Sequence, residues 1–275
     1  MKSRTSEGNR SLKDLMDLRG RVSLVTGGGG HIGGVICDAL AELGSAVAVL
    51  DLDEAACSRQ AARIRDAFGQ EALLLVTDLF DEAAVRNAPE AVVKHFGRLD
   101  VLVNCAALVA GSQLDGWLAP FEEQRSDTWR RAIELNLTVP FLLAQASAKA
   151  LNASGHGSII NIGSIYGIVG PDLRLYTGTS LGNPGAYAAS KGGLIQVSRW
   201  LATVMAPAVR VNTICCGGVE RHQPEEFVTR YVDRTPLRRM ATEEDFKGAV
   251  AYLASDLSAY VTGQNIVVDG GWTVW

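Results

Sequence analysis

Hydrophobic residues occur along this chain in two alternating patterns. One is a short unbroken run: Val22 to Thr26, Ala46 to Leu50, Ala72 to Val76, Val101 to Asn104, Ser158 to Ile162, Val209 to Ile214 and Asn265 to Val268. Runs of this kind predict strands covered on both faces. The other places apolar residues three and four apart, as in Ile32, Val35, Ile36, Ala39, Leu40 and Leu43, predicting a helix from His31 to Leu43 that Gly44 stops. The same spacing predicts helices over Asp81 to Phe96, Phe121 to Leu135, Asn136 to Asn152 and Ala186 to Met205, with helical stretches near Glu225 to Val232 and Glu243 to Ala254. Strand and helix alternating in this way imply an α/β architecture, a doubly wound parallel sheet of about seven strands with helices on both faces.

No Pro/Ser-rich linker or charge block interrupts the pattern, so residues 18–275 are expected to form one domain behind a flexible, polar N-terminal extension, residues 1–17. With 275 residues and 47% hydrophobic content, the chain can bury a substantial core. A formal net charge of -4 without any Lys/Arg cluster excludes the footprint of a nucleic-acid or membrane-surface protein. The five cysteines form no C-x-x-C pair and no metal-ligand spacing with the four histidines, so no metal site is expected. They read as reduced thiols, and the chain shows neither a signal-peptide core nor a membrane-length apolar run, which points to the cytoplasm.

Candidate chemistry gathers at the ends of the predicted strands. After the first, Gly28, Gly30 and Gly33 satisfy G-x-G-x-x-G between a strand and a helix, the context in which such glycines hold a pyrophosphate against a helix N-terminus. Asp51 closes the second strand, where a carboxylate accepts hydrogen bonds from an adenosine ribose and repels a 2′-phosphate, which favours NAD over NADP. Asp53 is the expected cap of the helix starting near Glu54. Asp78, Asn104, Ser164 and Cys216 sit at or just past further strand ends, the edge where open α/β sheets bind ligands. Tyr187 and Lys191 then stand four apart on one helical face, so a phenol and an ammonium share one space. A nearby positive charge favours the phenolate and brings it toward neutral pH.

Taken together, these residues resemble the short-chain dehydrogenase/reductase family from about Gly20 to Trp272. The resemblance is carried by Thr26-Gly27 with Gly33, Asp78, Asn104-Cys105-Ala106-Ala107, Asn136, Ser164, Tyr187-Ala188-Ala189-Ser190-Lys191 and the closing Val268-Asp269-Gly270-Gly271. It implies a Rossmann-type domain that moves hydride between NAD(H) and a secondary alcohol or ketone. Tyr187 would be the general acid/base and Lys191 would lower its pKa and bind the nicotinamide ribose. Ser164 would orient the substrate oxygen, and Asn136 would hold a relay water through its main chain. The implied cofactor contacts are Gly27, Gly30, His31, Ile32, Gly33, Asp51, Leu52, Asp78, Leu79, Asn104, Ala106, Gly217 and Val219, besides Tyr187 and Lys191. Four positions depart from the family pattern: His31 replaces the middle glycine of the cofactor turn, Ala107 a glycine, Cys216 a proline, and Arg221 or His222 a threonine. A Cβ at His31 is costly if its φ is positive.

The stretch between Ser164 and Tyr187 is longer than the family commonly has and is rich in hydroxyls and turn residues, so a substrate loop is expected over about 165–186. It suits a polyhydroxylated substrate and is similar to members associated with bacterial surface-sugar and flagellin-glycan modification. Tyr166 and Tyr176 would stack on a sugar ring or pin the loop. A lid is expected over about 217–240, and its Arg221, His222, Arg230, Arg234, Arg238 and Arg239 suit an anionic sugar derivative. Two other functions use much of the same sequence, a 3-oxoacyl thioester reductase and a dinucleotide sensor without catalysis. The resemblance also implies a homotetramer or homodimer sharing the helices at Asn136 to Asn152 and Ala186 to Met205, with Trp272 and Trp275 near a further interface.

Overall fold

A computed structural model describes residues 9–275 except 110 and 113. Seven parallel strands, β1 (Val22–Thr26), β2 (Ala46–Asp51), β3 (Ala72–Val76), β4 (Val101–Asn104), β5 (Gly157–Ser164), β6 (Val209–Cys216) and β7 (Asn265–Val268), lie in the order β3-β2-β1-β4-β5-β6-β7. The order reverses between β1 and β4, which opens a crevice at their carboxyl ends. Register aligns those ends: Thr26 lies opposite Asn104, and Ser164 opposite Cys216.

The helices are α1 (Leu12–Met16), α2 (His31–Glu42), α3 (Glu54–Phe68), α4 (Glu82–Phe96), α5 (Ser126–Ile133), α6 (Val139–Ser154), α7 (Gly185–Val204), α8 (Glu225–Arg234) and α9 (Lys247–Ala254). Each sheet face buries its own core. On one, Val25, Val49 and Ile160 pack with Ile36, Leu40, Ile64 and Phe246. On the other, Leu24, Leu50 and Leu102 pack with Val92, Leu143 and Leu201. Burial on both faces explains why the strands read as unbroken apolar runs. Asp53 and Asp81 cap α3 and α4 by accepting from the N–H of Ala56 and of Ala83 and Ala84.

Three sequence expectations are corrected here. The helices predicted over 121–135 and 136–152 are not separate: a π-helical segment, Glu134–Thr138, joins α5 to α6, and only a 3-10 turn forms at Phe121–Glu123. Apolar spacing does not register a one-residue bulge, because both sides keep the same buried face. Strands β5 and β6 run on to Ser164 and Cys216, two residues past their predicted ends, since they pair with each other throughout. Of the extension expected to be flexible, residues 1–8 lie outside the described residues, whereas Ser11 caps α1 and Arg10 pairs with the carboxylate of Asp256. The described residues include no helix long and apolar enough to cross a membrane.

Candidate active site

The crevice is a cavity of about 730 Å³ at the carboxyl edge of the sheet. Its first part is built by the turn after β1. Gly27 adopts φ +65, and a Cβ there would stand 2.9 Å from the backbone of Ala106. Gly33 lets α2 close on that turn, since a Cβ would lie 2.0 Å from the Gly27 carbonyl oxygen. The Thr26 hydroxyl accepts from the N–H of Cys105 and of Ala106 and so fixes the facing wall. His31 is the first residue of α2 and is not among the positive-φ residues, so the feared Cβ cost does not arise. Unlike α3 and α4, α2 has no side-chain cap. Its first-turn N–H groups are therefore left for a ligand, and a pyrophosphate fits both the donors and the helix dipole.

The remaining cofactor-side predictions converge on the same cavity. Gly27, Gly30, His31, Ile32, Gly33, Asp51, Leu52, Asp78, Leu79, Ala106, Gly217 and Val219 all line it, as do Ala107 and Cys216. Asp51 holds its carboxylate in place by accepting from Gly29 N and Leu52 N. Asn104 is different. It lies buried behind the wall, where its Nδ2 donates to Asn161 Oδ1 at 2.7 Å, and Asn161 in turn donates to Ser198. Its side chain ties β4 to β5 behind the wall, while Cys105, Ala106 and Ala107 of the same segment line the cavity.

At the far end Ser164, Tyr187 and Lys191 meet. Ser164 is the last residue of β5, its hydroxyl accepting from Tyr166 N and hydrogen-bonding Tyr187. Lys191 is 4% exposed, and its Nζ donates to Ile162 O at 2.7 Å while standing 5.8 Å from the Tyr187 ring centre. Burial pushes the Tyr187 phenol up to about 12 despite the bond from Ser164. Burial also pushes the Lys191 ammonium down. The same desolvation opposes both charged forms.

Asn136 does not line the cavity. It sits in the π-helical segment, 1% exposed, where its Oδ1 accepts from Leu108 N and its Nδ2 donates to Leu108 O and Ser190 Oγ. Its side chain thus pins the chain after β4 to α7, one residue before Lys191.

The wall opposite Tyr187 comes from the two inserted segments. Tyr166 and Tyr176 share a hydrogen bond of 2.6 Å between hydroxyls, Tyr176 packs on Phe227, and Tyr231 stacks on Trp272. Trp272 is 1% exposed inside this cluster, whereas Trp275 is 69% exposed. The lid arginines are spent on structure. Arg234 pairs with Asp172 and lies over Trp272, Arg230 donates to the carbonyls of Leu175 and Thr177, and Arg221, Arg238 and Arg239 pair with Glu243, Asp233 and Asp245. Among the described residues Arg221 is the one arginine lining the cavity. Thr77, Phe227, Tyr231 and Met240 also line it and were not selected from sequence; the four-residue spacing of Phe227 and Tyr231 was the available signal.

A glycine cradle facing an acid/base group across one crevice defines a class, the dinucleotide-dependent oxidoreductases of CH–OH groups. A family model described as enoyl-(acyl carrier protein) reductase matches residues 30–273. The cis-4-hydroxycyclohexanecarboxylate dehydrogenase of Sinomonas cyclohexanicum is 34% identical over 92% of this chain and 96% of its own. Among solved structures, a gluconate 5-dehydrogenase from Burkholderia cenocepacia J2315 in complex with NADP and tartrate superposes with a TM-score of 0.85 at 30% identity, covering 96% of this chain and 100% of that one. An NAD+-bound xylitol dehydrogenase does so at 0.82 and 30%, covering 92% and 99%. The chain belongs to the short-chain dehydrogenase/reductase family.

Proposed function

We propose that the protein interconverts a secondary alcohol and a ketone, with NAD(H) as its partner in hydride transfer. The observation that carries this is the meeting of Ser164, Tyr187 and Lys191 in the cavity that the glycine cradle opens. When bound, the nicotinamide supplies the hydride acceptor or donor. The chain supplies position and a proton. Ser164 Oγ holds the substrate oxygen, and the Tyr187 hydroxyl gives a proton to a forming alkoxide or takes one from an alcohol. A phenol pushed up to about 12 is protonated at neutral pH, which suits it as the donor in ketone reduction. Lys191, anchored on Ile162 O, stands with its Nζ 5.8 Å from the ring centre, where an ammonium would favour the phenolate as it forms.

The preference for NAD rests on Asp51, whose carboxylate lines the cavity at the end of β2 and opposes a 2′-phosphate, with no arginine lining the wall beside it among the described residues. Association with surface-sugar modification is carried by the loop sequence alone. A dimer or tetramer sharing α6 and α7 is supported by Trp200, 53% exposed on α7 and 6.3 Å from Phe141 on α6. The 3-oxoacyl thioester reductase is the second reading, favoured by a 3-oxoacyl-[acyl-carrier-protein] reductase of Escherichia coli that is 31% identical over 93% of this chain and 98% of its own. The deciding experiment follows dinucleotide absorbance with secondary alcohols, ketones and an acyl thioester, each with NAD(H) and NADP(H). Turnover of the alcohols or ketones with NAD(H) is expected; turnover confined to the thioester with NADPH would overturn the reading, and dinucleotide binding without any turnover would mark a sensor.

A further inference from the structure

We infer that Cys215 is a positioning residue for Ser164: its buried thiol, anchored on Asn265 of the edge strand, fixes the backbone of the serine that meets Tyr187. This rests on the oxidoreductase reading and concerns the wall behind the reacting groups. Cys215 and Cys216 close β6 and, as neighbours on a strand, face opposite sides of the sheet. Cys216 lines the cavity, whereas Cys215 does not and is 0% exposed. Cys215 shares its face with Thr213, whose hydroxyl bonds Ser198 of α7. The thiol therefore lies on the side of the sheet covered by the helix that carries Tyr187 and Lys191.

A buried cysteine is commonly a small apolar filler. Here the thiol is used both as donor and as acceptor. Cys215 Sγ donates to Asn265 Oδ1 at 2.8 Å and accepts from Ser164 N. Space for the sulfur beside β5 exists because residue 163 is a glycine, where a Cβ would stand 2.9 Å from Sγ. The consequence falls on Ser164, the last residue of β5, after which the chain leaves the strand in a 3-10 turn at Ile165–Gly167. Its hydroxyl bonds Tyr187. A thiol tied to β7 on one side and to the Ser164 N–H on the other thus carries the position of the sheet to the group that holds the substrate oxygen. Because Cys215 does not line the cavity, it acts through Ser164 and not on the substrate.

Two measurements on the intact protein test this. The first reads kcat and KM with NAD and whichever of cyclohexanol and xylitol the parent oxidises. Cys215→Ala removes both bonds and is expected to lower kcat by about tenfold, with KM and NADH affinity changed by no more than about twofold. Cys215→Ser keeps a donor and an acceptor in the same place and is expected to restore kcat to within about threefold of the parent. Asn265→Ala, on the partly exposed edge strand, unties the thiol without opening the core. Combined with Cys215→Ala it is expected to cost no more than Cys215→Ala alone. The second measurement needs no turnover: the infrared S–H stretch that the parent shows and Cys215→Ser lacks should lie below that of an unbonded thiol and rise in Asn265→Ala. Undiminished kcat in Cys215→Ala, an equal loss in Cys215→Ser, or an S–H band that ignores Asn265→Ala would each overturn the inference. A parent that binds NADH yet turns over no alcohol or ketone would instead overturn the oxidoreductase reading, and the infrared band would still uphold or sink the tie between Cys215 and Asn265.

Discussion

The two ends of the cavity are built by opposite means. At the dinucleotide end the wall is backbone: Gly27 and Gly33 leave no room for side chains, and the uncapped turn of α2 offers main-chain donors. At the substrate end the wall is side chain, a cluster that Tyr166, Tyr176, Phe227, Tyr231 and Trp272 assemble from three separate segments. A backbone wall is fixed by the sheet and is suited to a constant ligand. A side-chain wall changes with each substitution, so the chain's individuality resides there.

Perturbing each end in turn should therefore give separable effects. The largest is expected where the ends meet: Tyr187→Phe should lower kcat by about 10²–10⁴-fold while dinucleotide binding, followed by fluorescence, is retained. Next, Gly33→Ala forces a Cβ to within 2.0 Å of the Gly27 carbonyl oxygen unless the turn moves. The overpacking, about 1–3 kcal/mol, should weaken dinucleotide binding by a comparable factor without altering substrate selectivity. If selectivity changes instead, the two ends are coupled and the contrast fails.

The pH dependence sharpens the contrast at Tyr187. Its phenol is pushed up to about 12 by burial, so below that pH the proton donor is in place and the base form grows as pH rises. Alcohol oxidation should accelerate from pH 6 to 9, by at most about tenfold per unit, whereas ketone reduction should not. A plateau in oxidation already at pH 7 would show that charge at the site overcomes burial in the loaded enzyme.

Arg234→Ala should act on the substrate end alone. It breaks the pair with Asp172 that joins α8 to the loop, for a loss of about 1–3 kcal/mol read as a lower Tm, and should raise the substrate KM with dinucleotide binding unchanged. The smallest effect is expected outside both ends. Burial pushes the Asp256 carboxyl up, but hydrogen bonds from Arg10 and Arg21 outweigh it and hold the group at about 2. A depressed folded-state pKa contributes stability above the ordinary carboxylate range that is lost as pH falls toward 2. Asp256→Asn should flatten that acid limb in urea unfolding and leave both ligand affinities alone.

Much of the dinucleotide end was legible in the sequence because its determinants are local. A β-branched run, a glycine turn and an amphipathic helix follow one another within a few residues, and Tyr187 and Lys191 declare their shared face by spacing alone. What the side chains of Asn104 and Asn136 do was not legible, for the opposite reason. Their side chains answer to Asn161, Leu108 and Ser190, residues remote in sequence that no spacing reveals.

By itself, then, the sequence determined the parallel sheet, the glycine turn and the shared face of Tyr187 and Lys191, since each is written in short-range periodicity or in a residue's intrinsic conformational freedom. Only the tertiary structure decided what the inserted loop and lid present to a substrate. The loop's polar composition suggested a sugar site, but whether a hydroxyl faces a ligand depends on whether a neighbour has already taken its hydrogen bond. In this molecule Thr179 gives its hydroxyl to Tyr176 O, and Arg230, Arg234 and the aromatic rings hold the loop so that Tyr176, Leu181, Gly182 and Asn183 line the cavity.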